Sequence, residues 1–380
     1  MEKVRILFLQ NQLVCGGAEQ ALFDLISLIN REKFDITVLA QLAGGQWYEK
    51  FCDTGVKVIT PWSCQKESRN PFRLLYNKIL GCFIEYAIEG GGKNVIPLCT
   101  SQKYDLIVSY SIWDYPYCGF VPGAKSIKVI HGDLETNANY RSSILNYMDA
   151  MKRFDRVICV SDGARKSFCR ETGITEGVVT HYNPLNSDRV RKMAQEPVDF
   201  FSRRKVICAV GRLGSEKGFD RLIRIHKHLL EEDAEHDLVI VGEGPERQNL
   251  QQLISELGVE KSVTLAGYSD NPYPYMKMSQ LLVCSSYTEG LPVVSMEALC
   301  LGIPVISAVP SIGEIFGDQQ CGLITENDDD SLQAGLKKAL TDPAFYQTLK
   351  DGAEKRSAYF EGSRMIRELE EEYLSLLQKK

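Results

Sequence analysis

The feature that most constrains this chain is an alternation. Short runs of β-branched and aliphatic residues take turns with longer stretches of helical spacing from one end to the other. The runs at 4–9, 35–40, 56–59, 106–108, 128–131, 157–160 and 178–182 predict strands, and stretches such as 18–29 and 144–153 predict helices between them. Strands that are apolar on both faces, each followed by a helix, belong in parallel sheets covered on both sides. The alternation pauses once. Asn183-Pro184-Leu185-Asn186 reads as a turn, and 187–204 is polar and charged with no strand. It resumes with predicted strands at 206–210, 238–241, 263–265, 281–284, 305–307 and 322–325. The expected fold is α/β, with two doubly wound Rossmann-like domains facing a central cleft. Their bounds are placed at 1–190 and 191–360. A closing helix over 361–380 lies either on the surface or back on the first domain. A ligand held between the carboxyl ends of the two sets of strands is the natural expectation.

Composition narrows the function classes. At 380 residues the chain is too long for one comfortable core, in line with two domains. A hydrophobic content of 44% excludes a wholly disordered chain. The net charge of −6 makes a general nucleic-acid binder a poor expectation. The 12 cysteines sit mostly inside apolar runs, with no Cys-x-x-Cys pair, so buried reduced thiols are expected and a zinc site is not. No apolar stretch has the length of a bilayer span, and the first ten residues lack a signal-peptide pattern, so a cytoplasmic protein is expected. One segment, 69–86, interleaves Arg69, Arg73 and Lys78 with Phe72, Leu75, Ile79 and Phe83. It can lie on an anionic membrane as a basic amphipathic helix, or more simply pack on the first domain.

Four loops carry chemistry. The first is Ser285 to Ala298, after the strand at 281–284. Pro292 suits the first position of a helix, which places Glu289, Gly290 and Leu291 before a helix N-terminus, where backbone amides favour anions. Glu289 and Glu297 are separated by seven residues, so one carboxylate from the loop and one from the helix can face a polyhydroxylated ligand at two depths. Taken singly, each reads as a capping or surface glutamate. The second is Gly211-Arg212-Leu213-Gly214-Ser215-Glu216-Lys217-Gly218. Its glycines allow close backbone approach, and Arg212 and Lys217 offer a planar fork and a point charge for a diphosphate. The third, Gly16-Gly17-Ala18-Glu19, permits contact with a phosphate or sugar but lacks the dinucleotide fingerprint. The fourth is His131-Gly132-Asp133, where a histidine at a strand end can hydrogen-bond a sugar hydroxyl or a reacting group. Val241-Gly242-Glu243-Gly244-Pro245 can line a nucleoside pocket, and Asp328-Asp329-Asp330 reads as an acidic helix start without a catalytic role.

Together these segments resemble the retaining glycosyltransferases of family 4, which have the GT-B fold, in their bacterial capsule and exopolysaccharide form. Glu289 and Glu297 match that family's paired-glutamate motif, and Gly211 to Gly218 is similar to its diphosphate loop. Asn271-Pro272-Tyr273-Pro274-Tyr275-Met276 is similar to a segment of its bacterial polysaccharide members. The Phe-Gly pair that many members carry within the glutamate loop is missing from Glu289-Gly290-Leu291-Pro292. The resemblance implies a retaining, metal-independent hexosyltransferase that moves a sugar from a nucleotide sugar, a UDP-sugar above others, to a growing lipid-linked glycan. It also implies the inner membrane face as a working surface, and no cofactor. Arg212 and Lys217 would hold the donor diphosphate, Glu297 the ribose, and Glu289 the transferred sugar with the Gly290 and Leu291 amides. Gly16 and Gly17 would close on the phosphates, Gly242 and Glu243 would line the nucleoside pocket, the base would stack near Gly267 and Tyr268, and His131 would orient the sugar. A sugar-nucleotide 2-epimerase and a non-catalytic sugar-nucleotide-binding subunit of another transferase are the competing expectations.

Overall fold

A computed structural model of the chain describes residues 2–14, 16–40, 44–60, 100–110, 121–200, 202–360 and 362–378. The segment at 69–86 lies outside them. The chain divides into two compact units, Met1–Pro184 with Ser363–Lys380, and Leu185–Gly362.

In the first unit, β1 (Val4–Gln10), β2 (Phe34–Ala40), β3 (Lys57–Ile59), β4 (Leu106–Ser109), β5 (Lys125–Ile130), β6 (Arg156–Cys159) and β7 (Val178–Thr180) form one sheet. Its order is β3-β2-β1-β4-β5-β6-β7. In the second, β8 (Lys205–Val210), β9 (His236–Val241), β10 (Val263–Gly267), β11 (Leu281–Cys284), β12 (Val305–Ser307) and β13 (Gly322–Ile324) run in the order β10-β9-β8-β11-β12-β13. The pairings are parallel throughout. Both orders reverse direction after the first strand of the unit, so each sheet has a switch point, between β1 and β4 and between β8 and β11. Loops leaving strands there diverge and open space for a ligand.

The sequence dictates this through burial on both faces. Ile6, Leu7, Phe8 and Leu9 are consecutive and all fully buried. Successive strand side chains point to opposite faces, so such a run requires a covered sheet. In the second unit, the helix Phe219–Glu231 adds Leu222, Ile223, Ile225 and Leu229 at helical spacing to a core with Ile207, Leu238, Ile240, Leu281 and Val283. Asp328 opens the helix Asp329–Thr341 by accepting a bond from the Ser331 amide at 2.8 Å.

Three local expectations change, and of the two placements expected for the last helix the one on the first domain holds. The polar pause contains a helix, Ser187–Met193, capped by Asn186 and anchored by buried Val190. It packs within the second unit, so the division falls at Pro184 and not at 190. The single helix expected over 144–153 is two, Ala138–Leu145 and Met148–Met151, parted at Asn146 and Tyr147. Pro292 caps the helix Val293–Cys300 and does not open it. The last helix, Gly362–Gln378, is more than a surface cover, because Met365, Ile366, Leu369, Tyr373 and Leu376 are buried. Within the first unit its Glu370 accepts from the Asn30 amide at 2.7 Å, and its Glu372 pairs with Arg156 at 2.7 Å.

Candidate functional site

The loops that leave β8 and β11 flank the switch point of the second sheet and are laid on each other by a glycine. Gly218 has φ +61°, between the short turn Ser215–Lys217 and the helix Phe219–Glu231. A Cβ at Gly218 would stand 2.3 Å from the Ser285 carbonyl oxygen, so a side chain there would force the loops apart. Two further bonds join them. Ser285 Oγ donates to the Lys217 carbonyl at 2.9 Å, and the Tyr287 amide donates to the Glu216 carbonyl at 2.9 Å.

This stacking brings Lys217 and Glu289 together. Lys217 Nζ lies 2.5 Å from Glu289 Oε1, and Ser286 Oγ donates to the same oxygen at 2.8 Å. The two side chains are 24% and 18% exposed. They are thus sheltered enough for their charges to act strongly, yet open to a ligand. An ammonium has three donors, so Lys217 can keep this bond and still reach an anion.

Beside the pair, three turns lie edge to edge. Gly242 has φ +151°, and a Cβ there would meet the Gly211 carbonyl oxygen at 1.9 Å. The Gly242 amide donates to Gly267 at 2.8 Å, and the Leu213 amide donates to Glu243 at 2.9 Å. Gly242, Glu243, Gly267 and Tyr268 therefore share one sheet edge with Lys217 and Glu289. Glu243 pairs with Arg247, and half-exposed Tyr268 donates to Asp270. Arg212 is turned elsewhere, to Glu216 Oε1 at 2.7 Å on the exposed side of its loop. Gly290 and Leu291 follow Glu289 into the helix start, with the Leu291 side chain buried.

Glu297 lies deeper, 6% exposed, where its Oε1 accepts from the Tyr273 hydroxyl at 2.8 Å. Sequence reasoning missed Tyr273 as a partner. It also missed Arg221, which is 2% exposed and donates from Nε to the Ser285 carbonyl at 2.8 Å and from Nη2 to the Ser286 carbonyl at 3.1 Å. Its guanidinium also stands over the Tyr287 ring at 4.3 Å. Nothing in the residue string separates Arg221 from a solvated helix cation. The one available signal is its spacing with Phe219, Leu222 and Ile225 on the buried side of the helix.

Gly16, Gly17 and His131 belong to the first unit. Gly17 opens the helix Gly17–Leu28, and a Cβ on it would meet nothing within 4 Å. Gly16 leaves room for Glu19, which folds back and accepts from Gln10 at 2.6 Å. Burial raises the Glu19 carboxyl above its ordinary range. His131 follows β5 and packs on the Tyr110 ring with centroids 4.6 Å apart. Burial, with the nearby Lys128 charge, lowers its imidazole to about 3. It is therefore neutral at pH 7, and its buried Nε2 has no hydrogen-bond partner among the described residues. Among those residues no group of three or more His, Cys, Asp or Glu stands where it could hold a metal ion.

Comparison with known proteins bears on this arrangement. Residues 191–356 match the family of glycosyl transferases group 1. A Campylobacter jejuni protein, N-acetylgalactosamine-N,N'-diacetylbacillosaminyl-diphospho-undecaprenol 4-alpha-N-acetylgalactosaminyltransferase, is 33% identical over 190 residues, covering 49% of this chain and 51% of that protein. The chain thus spans about half the length of that relative. A second C. jejuni protein, GalNAc-alpha-(1->4)-GalNAc-alpha-(1->3)-diNAcBac-PP-undecaprenol alpha-1,4-N-acetyl-D-galactosaminyltransferase, is 25% identical and covers 98% of both chains. Among solved structures, Anabaena HepE in complex with UDP and glucose superposes with a TM-score of 0.76 at 19% identity, covering 98% of this chain and 100% of that one. That likeness shows the fold, two Rossmann-like domains of the GT-B type.

Proposed function

We propose that this chain is a retaining glycosyltransferase that moves a sugar from a nucleotide-sugar donor, a UDP-sugar, to a growing lipid-linked glycan. The observation that carries the reading is the Lys217–Glu289 pair at the switch point of the second sheet, with buried Glu297 in the following helix.

Each group then has a task. As the sugar leaves, negative charge grows on the departing diphosphate, and Lys217 stabilises it with Arg212 turning in from the loop edge. Glu289 contacts the transferred sugar while holding Lys217 in place, assisted by the Gly290 and Leu291 amides. Glu297 takes the ribose hydroxyls, Gly242 and Glu243 line the nucleoside, and the base lies near Gly267 and Tyr268. Gly16 and Gly17 approach the phosphates, and neutral His131 accepts from a sugar hydroxyl at Nε2. The acceptor oxygen bonds to the anomeric carbon on the face the phosphate leaves. Its proton passes to the departing phosphate oxygen, so no protein nucleophile is used.

The named activities of the two C. jejuni relatives, both on undecaprenol-linked glycans, support a lipid-linked acceptor. On this reading the protein meets such an acceptor at the inner membrane surface; no helix among the described residues is long and apolar enough to cross a membrane. The chain's own cations do the work a metal would do, so a chelator should leave turnover unchanged. The decisive experiment incubates the protein with UDP-sugars and an undecaprenyl-diphosphate glycan and reads the first product by NMR. Retained anomeric configuration supports the reading. Inversion overturns retention, and UDP release without a new glycan overturns transfer.

A further inference from the structure

Three helices of the second unit, Ser187–Met193, Tyr273–Met278 and Val293–Cys300, pack on one another. Each contributes one polar side chain to a chain of hydrogen bonds. Arg189 Nη2 donates to the Tyr273 hydroxyl oxygen at 3.1 Å, and the Tyr273 hydroxyl lies 2.8 Å from Glu297 Oε1. The Arg189 guanidinium carbon also stands 5.5 Å from the Tyr273 ring centre. Asn271, two residues before Tyr273, donates to the Met193 carbonyl at 2.9 Å and to Glu196 at 2.8 Å, tying this turn to the end of the first helix.

The direction of the chain is forced. Arginine only donates, so the Tyr273 oxygen accepts from Arg189 and turns its single proton toward Glu297. We propose that Tyr273, held by Arg189, is a positioning residue that fixes the Glu297 carboxylate for the ribose hydroxyls of the donor. This rests on the donor-site reading above. Tyr273 is 2% exposed, so water cannot easily replace its hydroxyl, and without it Glu297 Oε1 loses a directed bond that helps set its plane. A carboxylate fixed in plane meets two adjacent hydroxyls without first losing rotational freedom, which is where the affinity arises.

The test is calorimetric titration of UDP, and of its dideoxy form lacking both ribose hydroxyls, into the full chain. Tyr273→Phe should weaken UDP about tenfold, with the dideoxy form changed less than about twofold. On a Glu297→Ala background, Tyr273→Phe should add less than about twofold. Equal losses for the two nucleotides, or a full further loss on that background, would mark a merely structural role and overturn the inference. So would unchanged UDP binding in Tyr273→Phe. A native chain that binds no nucleoside diphosphate overturns the donor-site reading, and this inference with it; a native chain that binds and a variant that does not respond overturns the inference alone. Should Tyr273→Phe fail to melt cooperatively, Arg189→Met carries the same comparison, since it releases the tyrosine proton from its fixed direction.

Discussion

Two glycines show how differently one residue type works in this chain. Gly242 has φ +151° and a neighbouring carbonyl oxygen 1.9 Å from where a Cβ would sit, so Gly242→Ala must move backbone. It should cost about 1–3 kcal/mol of stability and disturb the loop edge, as read by urea unfolding. Gly17→Ala meets nothing within 4 Å and sits at a helix start, so it should leave the unfolding midpoint unchanged or slightly raised. If the Gly17 backbone approaches the donor, the same variant should raise the donor KM with the fold intact. Glu289→Ala removes the partner that holds Lys217 and should lower kcat by about two orders of magnitude without loss of the native melt. Full activity in Glu289→Ala would remove that residue from the site.

The element that makes the site is the loop after β11, and it is clamped from beneath. Arg221 donates to two of its carbonyls from a buried position, and those bonds hold Ser286 and Glu289 against Lys217. Arg221→Met should cost about 1–3 kcal/mol, since each lost bond leaves a buried carbonyl oxygen unpaired. It should also lower kcat, because Glu289 is no longer held; a stable variant with native turnover would show that the loop holds itself. Such elements divide by legibility. The strands were readable because doubly buried β-branched runs have few other fates, and Lys217 and Glu289 were readable because each lies in a loop directly after such a run. The helix Ser187–Met193 was not, because its surface composition hides the single buried face of Val190. The role of Tyr273 was hidden too, since its partners lie 84 and 24 residues away in the chain. Arg212 was expected beside Lys217 and is instead bound to Glu216, a local competitor that residue type alone does not reveal.

At the scale of the molecule, both units keep buried histidines neutral. His236 Nδ1 donates to the Ala234 carbonyl at 2.7 Å, which leaves its Nε2 to accept from His226 Nδ1 at 2.8 Å. His226 Nε2 then accepts from Ser262 at 2.9 Å. Burial lowers His226 to about 3, helped by His236 and Arg204, and lowers His236 as well, with Ala234 and Asp237 opposing. In the first unit His131 is lowered to about 3 by burial. These folded values lie below the ordinary 6.5, so the unfolded chain binds more protons between about pH 6.5 and 3. Stability from these groups is complete above that window and is lost as pH falls through it. Urea midpoints should drop from pH 7 to pH 5, and His226→Leu should flatten the drop; a flat profile in the native chain would contradict the assignment. The fold itself was largely legible from the alternation of strands and helices, whereas the return of the last helix to the first unit depends on Glu370 and Glu372 finding partners distant in the chain. The measurement that bears most directly on the whole account is a UDP titration of the native chain and Lys217→Ala, followed by calorimetry. A saturable heat is expected with the native chain, and at least about tenfold weaker binding in Lys217→Ala. No heat in the native chain, or the same Kd in both, would contradict it.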